Sequence, residues 1–154
     1  MTDTTAGVPR TQAQRTAATR TKLLDAAVDS LVESGYAGTS TQGIAKRAGV
    51  SRGAQLHHFP TKETLVVAAV AHLVDKRLVE ILETHPPEPD DALETLFDAF
   101  VGPLFDAALE LWVAARTDPA LHEAMIPLER KVSDALHVGC LEIMGDRMSR
   151  TPST

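Results

Sequence analysis

The stretch TSTQGIAKRAGVSRGAQLHHFPTK, residues 39–62, decides how the rest of the chain is read. It spells two short helices with a tight turn between them. The first opens behind a small hydroxyl residue. Thr39 and Gln42 have the spacing of a capping box, and Ser40 is chemically as good an N-cap. It runs through Ile44, Ala45 and Lys46 to Ala48, and Gly49 ends it with the left-handed conformation that a C-terminal stop favours. Ser51 caps the second helix, Arg52 to Phe59, and Pro60 stops it. Ala45 and Ala48 are small enough for the two helices to approach, and Ile44 and Val50 bury between them. This is the arrangement of a helix-turn-helix. Its second helix leaves Arg52, Gly53 and Ala54 free at the end that enters a major groove, where free N–H groups also suit phosphate.

Upstream, Leu23, Leu24, Ala27, Val28, Leu31 and Val32 recur at helical spacing, which predicts a helix from Lys22 to Ser34 ended by Gly35. Downstream, Thr61 caps a helix from Lys62 to about Glu83, roughly 30 Å long at 1.5 Å per residue and able to join two lobes. His85 to Asp90, with three prolines, is a loop. A helix over 92–101 follows, broken at Gly102-Pro103. The next carries Pro103 in its first turn and continues through Trp112 to Arg116. Thr117-Asp118-Pro119 interrupts the chain again. A final amphipathic helix spans about Ala120 to Met144, with Pro127 as a kink or divide, before a polar tail. No stretch reads as a strand. The fold class is all-α: a three-helix head, a long connecting helix and a helical body. The expected division is a basic disordered arm over 1–16, a head over 17–63, a body over 64–146 and a tail over 147–154.

Composition agrees. Of 154 residues 44% are hydrophobic and only 4% aromatic, a palette of Ala, Leu and Val that suits helices better than sheets. The net charge of −6 hides an uneven split. Residues 1–62 carry eight Lys and Arg against four Asp and Glu, whereas residues 63–154 carry seven against seventeen. A basic front on an acidic body suits a nucleic-acid-binding head with a separate regulatory part, although charge alone leaves a solvated tail equally open. One cysteine, Cys140, cannot form an internal disulfide, and no apolar run spans a bilayer, so a cytoplasmic location is expected.

The motif resembles the DNA-binding domain of the tetracycline-repressor (TetR) family. The residues that carry the likeness are Gly35-Tyr36, Ser40, Ile44, Ala45, Ala48, Gly49, Val50 and Ser51, then His58, Phe59, Pro60, Thr61 and Lys62, within about residues 17–65. The resemblance implies that Thr41 and Gln42 meet phosphate and base edges. It implies that Arg52 and Gly53 read the groove, that His57 lies along the sugar-phosphate backbone, and that Lys62 reaches phosphate. Three positions depart from the pattern. Gln55 stands where an apolar residue is common, and Leu56 where tyrosine is. Gly43 weakens its helix by about 1 kcal/mol relative to alanine. Gln55 is then either a bidentate reader of adenine or a half-buried polar residue on the inner edge of the helix.

The same resemblance implies a homodimer on double-stranded operator DNA, most often a repressor released by a small-molecule effector of unread identity. Phe97, Phe100 and Trp112 either wall an effector pocket or are plain core. The last helix offers Leu128, Val132, Leu136 and Leu141 to a partner. The family generally ends in a pair of dimer helices and only one is legible here, so the body is expected to be shortened, either as a naturally short member or through truncation or a frame shift. A poorly dimerising interaction or dominant-negative module is therefore the alternative. No cofactor or metal site is expected: His57-His58 point about 100° apart on a helix and lack a third ligand at metal spacing. No nucleophile elbow, phosphate loop or zinc-protease motif occurs, so no enzyme is expected.

Overall fold

The computed structural model describes the backbone over residues 11–84 and 101–149, and side chains over 11–80 and 101–137. Six helices are described: α1 (Gln12–Gly38), α2 (Thr41–Ala48), α3 (Arg52–His58), α4 (Lys62–Thr84), α5 (Pro103–Ala115) and α6 (Pro119–Ser149). No strand occurs among the described residues. The loop at 85–90, the helix over 92–101 with Phe97 and Phe100, and most of the arm and tail lie outside them.

Local chemistry sets the ends of these helices. α1 begins at Gln12, inside the stretch to residue 16 expected as a disordered arm. Thr11 and Gln14 form a reciprocal capping box, with Thr11 Oγ1 accepting from the Gln14 N–H and Gln14 Oε1 accepting from the Thr11 N–H. Gly35 leaves helical geometry (φ 65°, ψ 176°), as the sequence led us to expect, but one further turn continues to Gly38 beyond the kink. Ser40, not Thr39, caps α2: its Oγ accepts from the Gly43 N–H at 3.1 Å, while the Thr39 hydroxyl donates back to the Gly35 carbonyl at 2.8 Å. Gly49 takes the left-handed conformation (φ 65°, ψ 34°), and the following N–H of Val50 reaches the Ala45 carbonyl at 3.0 Å. Pro103 opens α5 behind Gly102, and α6 runs through Pro127 without ending there.

Packing divides the chain into two cores that share α1 and α4. In the head, Leu23, Leu24, Ala26 and Ala27 of α1 pack with Ile44, Phe59, and Leu65 and Ala69 of α4. In the body, Leu31 of α1 and Val66, Val70 and Val74 of α4 pack with Ala107 and Leu111 of α5 and Leu121, Met125 and Leu128 of α6. The two faces of α4 therefore serve different lobes. A division after residue 63 follows the chain but not the packing, because Leu65 and Ala69 complete the head.

Two site expectations change at this level. Leu128 is buried in the body's own core (6% exposed) and Val132 packs on its edge, so neither stands ready for a partner. α6 carries apolar residues on more than one face, and its own neighbours claim Leu128. Leu136 is 40% exposed. The side chain of Leu141 lies outside the described residues.

Candidate nucleic-acid interface

The head buries its apolar residues and turns one polar face outward. Ile44 is fully buried and Ala45 nearly so, while Gln42 and Lys46 of α2 stand exposed and Thr41 is half-buried. On α3 the exposed residues are Arg52, Gly53, Leu56 and His57, at the spacing of a single helical face. Ser51 holds the start of α3 by accepting from the Ala54 N–H at 3.2 Å. A β-carbon at Gly53 would meet nothing within 4 Å among the described residues. Gln42, Arg52, Gly53 and His57 thus remain open to solvent along with Lys46, and Thr41 does so in part.

Two residues expected on that surface are engaged elsewhere. Gln55 is fully buried; its Nε2 donates to the Phe59 carbonyl at 2.7 Å, and its Oε1 has no hydrogen-bond partner. It cannot reach a base edge. Its side chain lies on the inner side of α3 together with buried Phe59, where its amide ties off the end of the helix. Lys62 Nζ donates to the Tyr36 carbonyl at 2.6 Å and lies 3.8 Å from the centre of the Tyr36 ring. Partial burial lowers its pKa, with the carboxylates of Glu63 and Asp118 acting against that shift. The ammonium is engaged by Tyr36 within the chain.

Arg47 is also occupied. Its guanidinium forks onto the carboxylate of Glu33, one branch at 2.9 Å, with Asp29 beyond at 4.0 Å. That hydrogen bond lowers the pKa of Glu33 and raises that of Arg47. Arg20 lies over the Phe59 ring at 4.6 Å. The positive charge that faces outward from the motif is therefore that of Lys46 and Arg52, fewer than a count of basic residues suggests. His58 is half-buried beside Phe59, and burial lowers its pKa below the ordinary value.

Elsewhere, Trp112 is 40% exposed on α5, so it is not plain core. No group of three or more His, Cys, Asp or Glu could hold a metal ion among the described residues. No described helix is long and apolar enough to cross a membrane. Reading the sequence alone overlooked Tyr36, Glu110 and Asp118, which meet at one point between head and body. Tyr36 stood in the motif, but its partners lie 74 and 82 residues away.

A family model for the bacterial regulatory proteins of the tetR family matches residues 23–69. The HTH-type transcriptional regulator CymR of Pseudomonas putida is 40% identical over 145 residues, covering 88% of this chain and 71% of that protein. An uncharacterized HTH-type transcriptional regulator of Mycobacterium tuberculosis is 37% identical over 135 residues, 83% of this chain and 69% of that one. Among solved structures, a transcriptional regulator of a Rhodococcus species superposes with a TM-score of 0.66 at 31% identity, covering 81% of this chain and 68% of that chain.

Proposed function

This chain belongs to the TetR family of DNA-binding transcriptional regulators, and from that premise we propose that it acts as a two-fold dimer whose α3 helices enter successive major grooves of a pseudo-palindromic operator. One observation carries the reading. The faces of α2 and α3 that hold Gln42, Lys46, Arg52, Gly53 and His57 are exposed together, while every apolar residue between the helices is buried or half-buried.

In this reading Arg52 supplies the guanidinium for guanine or phosphate, and Gln42 offers an amide to a base edge. Lys46 and His57 follow the phosphates. Gly53 lets the backbone come close. Leu56, 43% exposed one turn beyond Arg52, offers an apolar surface that suits a thymine methyl group. Two such heads related by a two-fold axis match half-sites about one DNA turn apart, roughly 34 Å. Leu136 faces outward for the contact between copies; Leu128 belongs to the chain's own core.

The mode of action is repression in the cytoplasm, relieved when a small molecule binds the body. Trp112 is the chain's single tryptophan, so quenching of its fluorescence follows such binding directly. The experiment for the DNA-binding claim is selection of bound duplexes from a random-sequence pool by the full chain. The expected product is an enriched inverted repeat. A pool that stays random after repeated rounds contradicts the reading, and light scattering separates dimer from monomer in the same preparation.

A further inference from the structure

Tyr36 is the point at which head and body are tied together. The break at Gly35 frees the peptide N–H of Tyr36 from the helix, and it donates to Glu110 Oε2 of α5 at 3.0 Å. The phenol proton is shared between two carboxylates, Asp118 Oδ2 at 3.1 Å and Glu63 Oε1 at 3.3 Å. Asp118 has a second task, because its Oδ1 accepts from the Leu121 N–H at 3.0 Å and so holds the first turn of α6. Lys62 closes the cluster from the first turn of α4, on the Tyr36 carbonyl and ring. Gly35 is favoured by its conformation (φ 65°), and a β-carbon there would lie 2.8 Å from Glu110 Oε2 and push that carboxylate out of its present place.

The cluster sits directly upstream of the reading helices. Thr39 donates its hydroxyl to Gly35 and its N–H to the Tyr36 carbonyl (3.2 Å), and the next residue, Ser40, caps α2. Two residues therefore separate the gripped turn from α2, so the position of Tyr36 bears directly on the start of α2. Glu110 is an exposed residue that reaches back to a backbone N–H. A surface carboxylate in that role adds little to stability, yet its hydrogen bond is directional and fixes an angle.

We propose that Glu110 and Asp118, both on the body and off the DNA-facing surface, are positioning residues for DNA binding. By holding Tyr36 they set the angle at which α2 and α3 are presented. The proposal rests on the reading that those helices face DNA, and Arg52→Ala is included so that the two claims fail separately.

The test uses the full chain and the duplex that the wild-type chain selects. Tyr36→Phe and Glu110→Ala are each expected to weaken binding about ten-fold, the range of a lost hydrogen bond to a charged group, with helical content and melting temperature retained. Glu110→Gln, whose amide oxygen still accepts the Tyr36 N–H, is expected to recover most of the affinity. The salt dependence of binding stays that of the wild type, because no phosphate contact is removed, whereas Arg52→Ala flattens it. Should Glu110→Ala melt early, Glu110→Met, which keeps the length of the side chain without the acceptor, decides for Glu110, while Tyr36→Phe, which keeps the backbone N–H and the ring beneath Lys62, decides for Asp118. Wild-type affinity in both Tyr36→Phe and the Glu110 variants alongside a loss in Arg52→Ala overturns the positioning role and leaves the DNA reading intact. Unchanged binding in all variants overturns both.

Discussion

Head and body draw on the same two helices, α1 and α4, yet they are finished differently. The head is closed. Its core is small and its helix starts are capped by Ser40 and Ser51. Among its described residues only Val32 and Leu56 leave a large apolar side chain at 43–44% exposure. The body has a larger aliphatic core but leaves Val101, Leu109, Trp112, Val113, Ile126 and Leu136 between 37% and 62% exposed. A closed unit with a polar outer face suits a polar, charged partner, whereas scattered exposed apolar residues suit other helices or an apolar ligand. The contrast teaches that the boundary between the lobes is one of surface chemistry and not of chain continuity, since each lobe depends on residues within the same helices.

The comparison is broken most severely at Ile44. Ile44→Asp forces an unpaired charge between the two motif helices, at a cost on the order of 4 kcal/mol, comparable with the whole stability of a small domain. Because α1 and α4 serve both cores, the helicity of the body is expected to fall with that of the head in thermal unfolding by circular dichroism. Two separate transitions would show that the lobes fold independently. The next effect lies in the body. Leu128→Ala should lower stability by about 2–4 kcal/mol in urea unfolding, whereas Leu136→Asp should leave the fold standing and act on association between copies by light scattering. Equal destabilisation by the two would contradict their placement.

Smaller effects sharpen the description of the head. Gln55→Leu should leave affinity for the selected duplex within about two-fold, while a base-reading glutamine would cost about 1–3 kcal/mol. A ten-fold loss in a fully folded variant would return Gln55 to the DNA surface. The smallest effect concerns His58. Burial depresses its folded pKa below the ordinary 6.5, so the unfolded chain takes up the proton first. That contribution is complete above about pH 6.5 and declines as the pH falls through the unfolded value towards the folded one. The melting temperature should drop slightly from pH 7.5 to 5.5, and less so in His58→Gln. An identical decline in both proteins would exclude His58 as its source.

Much of the head was legible because its signals are local. Ser51, Gly49 and Pro60 mark helix ends within a residue or two of themselves, and the periodicity of α1 and α4 exposes their buried faces. What escaped was pairing at a distance. Arg47 finds Glu33 fourteen residues away, Lys62 finds Tyr36 twenty-six away, and Glu110 reaches Tyr36 across seventy-four. Nothing local marks any of these as spoken for, so Lys62 read as a free cation. Gln55 misled for a related reason: its amide is chemically fit for adenine, and only the rotation of α3 decides that it points inward. Leu128 and Leu136 lie on one helix of mixed apolar faces, and neighbours from α4 and α5 sort one inward and leave the other out.

The central claim is that the exposed face of α2 and α3 reads DNA through Arg52 and its neighbours. Fluorescence anisotropy of the selected duplex with wild-type and Arg52→Ala chains, titrated at two salt concentrations, tests it most directly. The account predicts steep loss of wild-type affinity with salt, and in Arg52→Ala a loss of specific binding of about 1–3 kcal/mol with unchanged helicity. Equal affinity of the two chains, insensitive to salt, would contradict it.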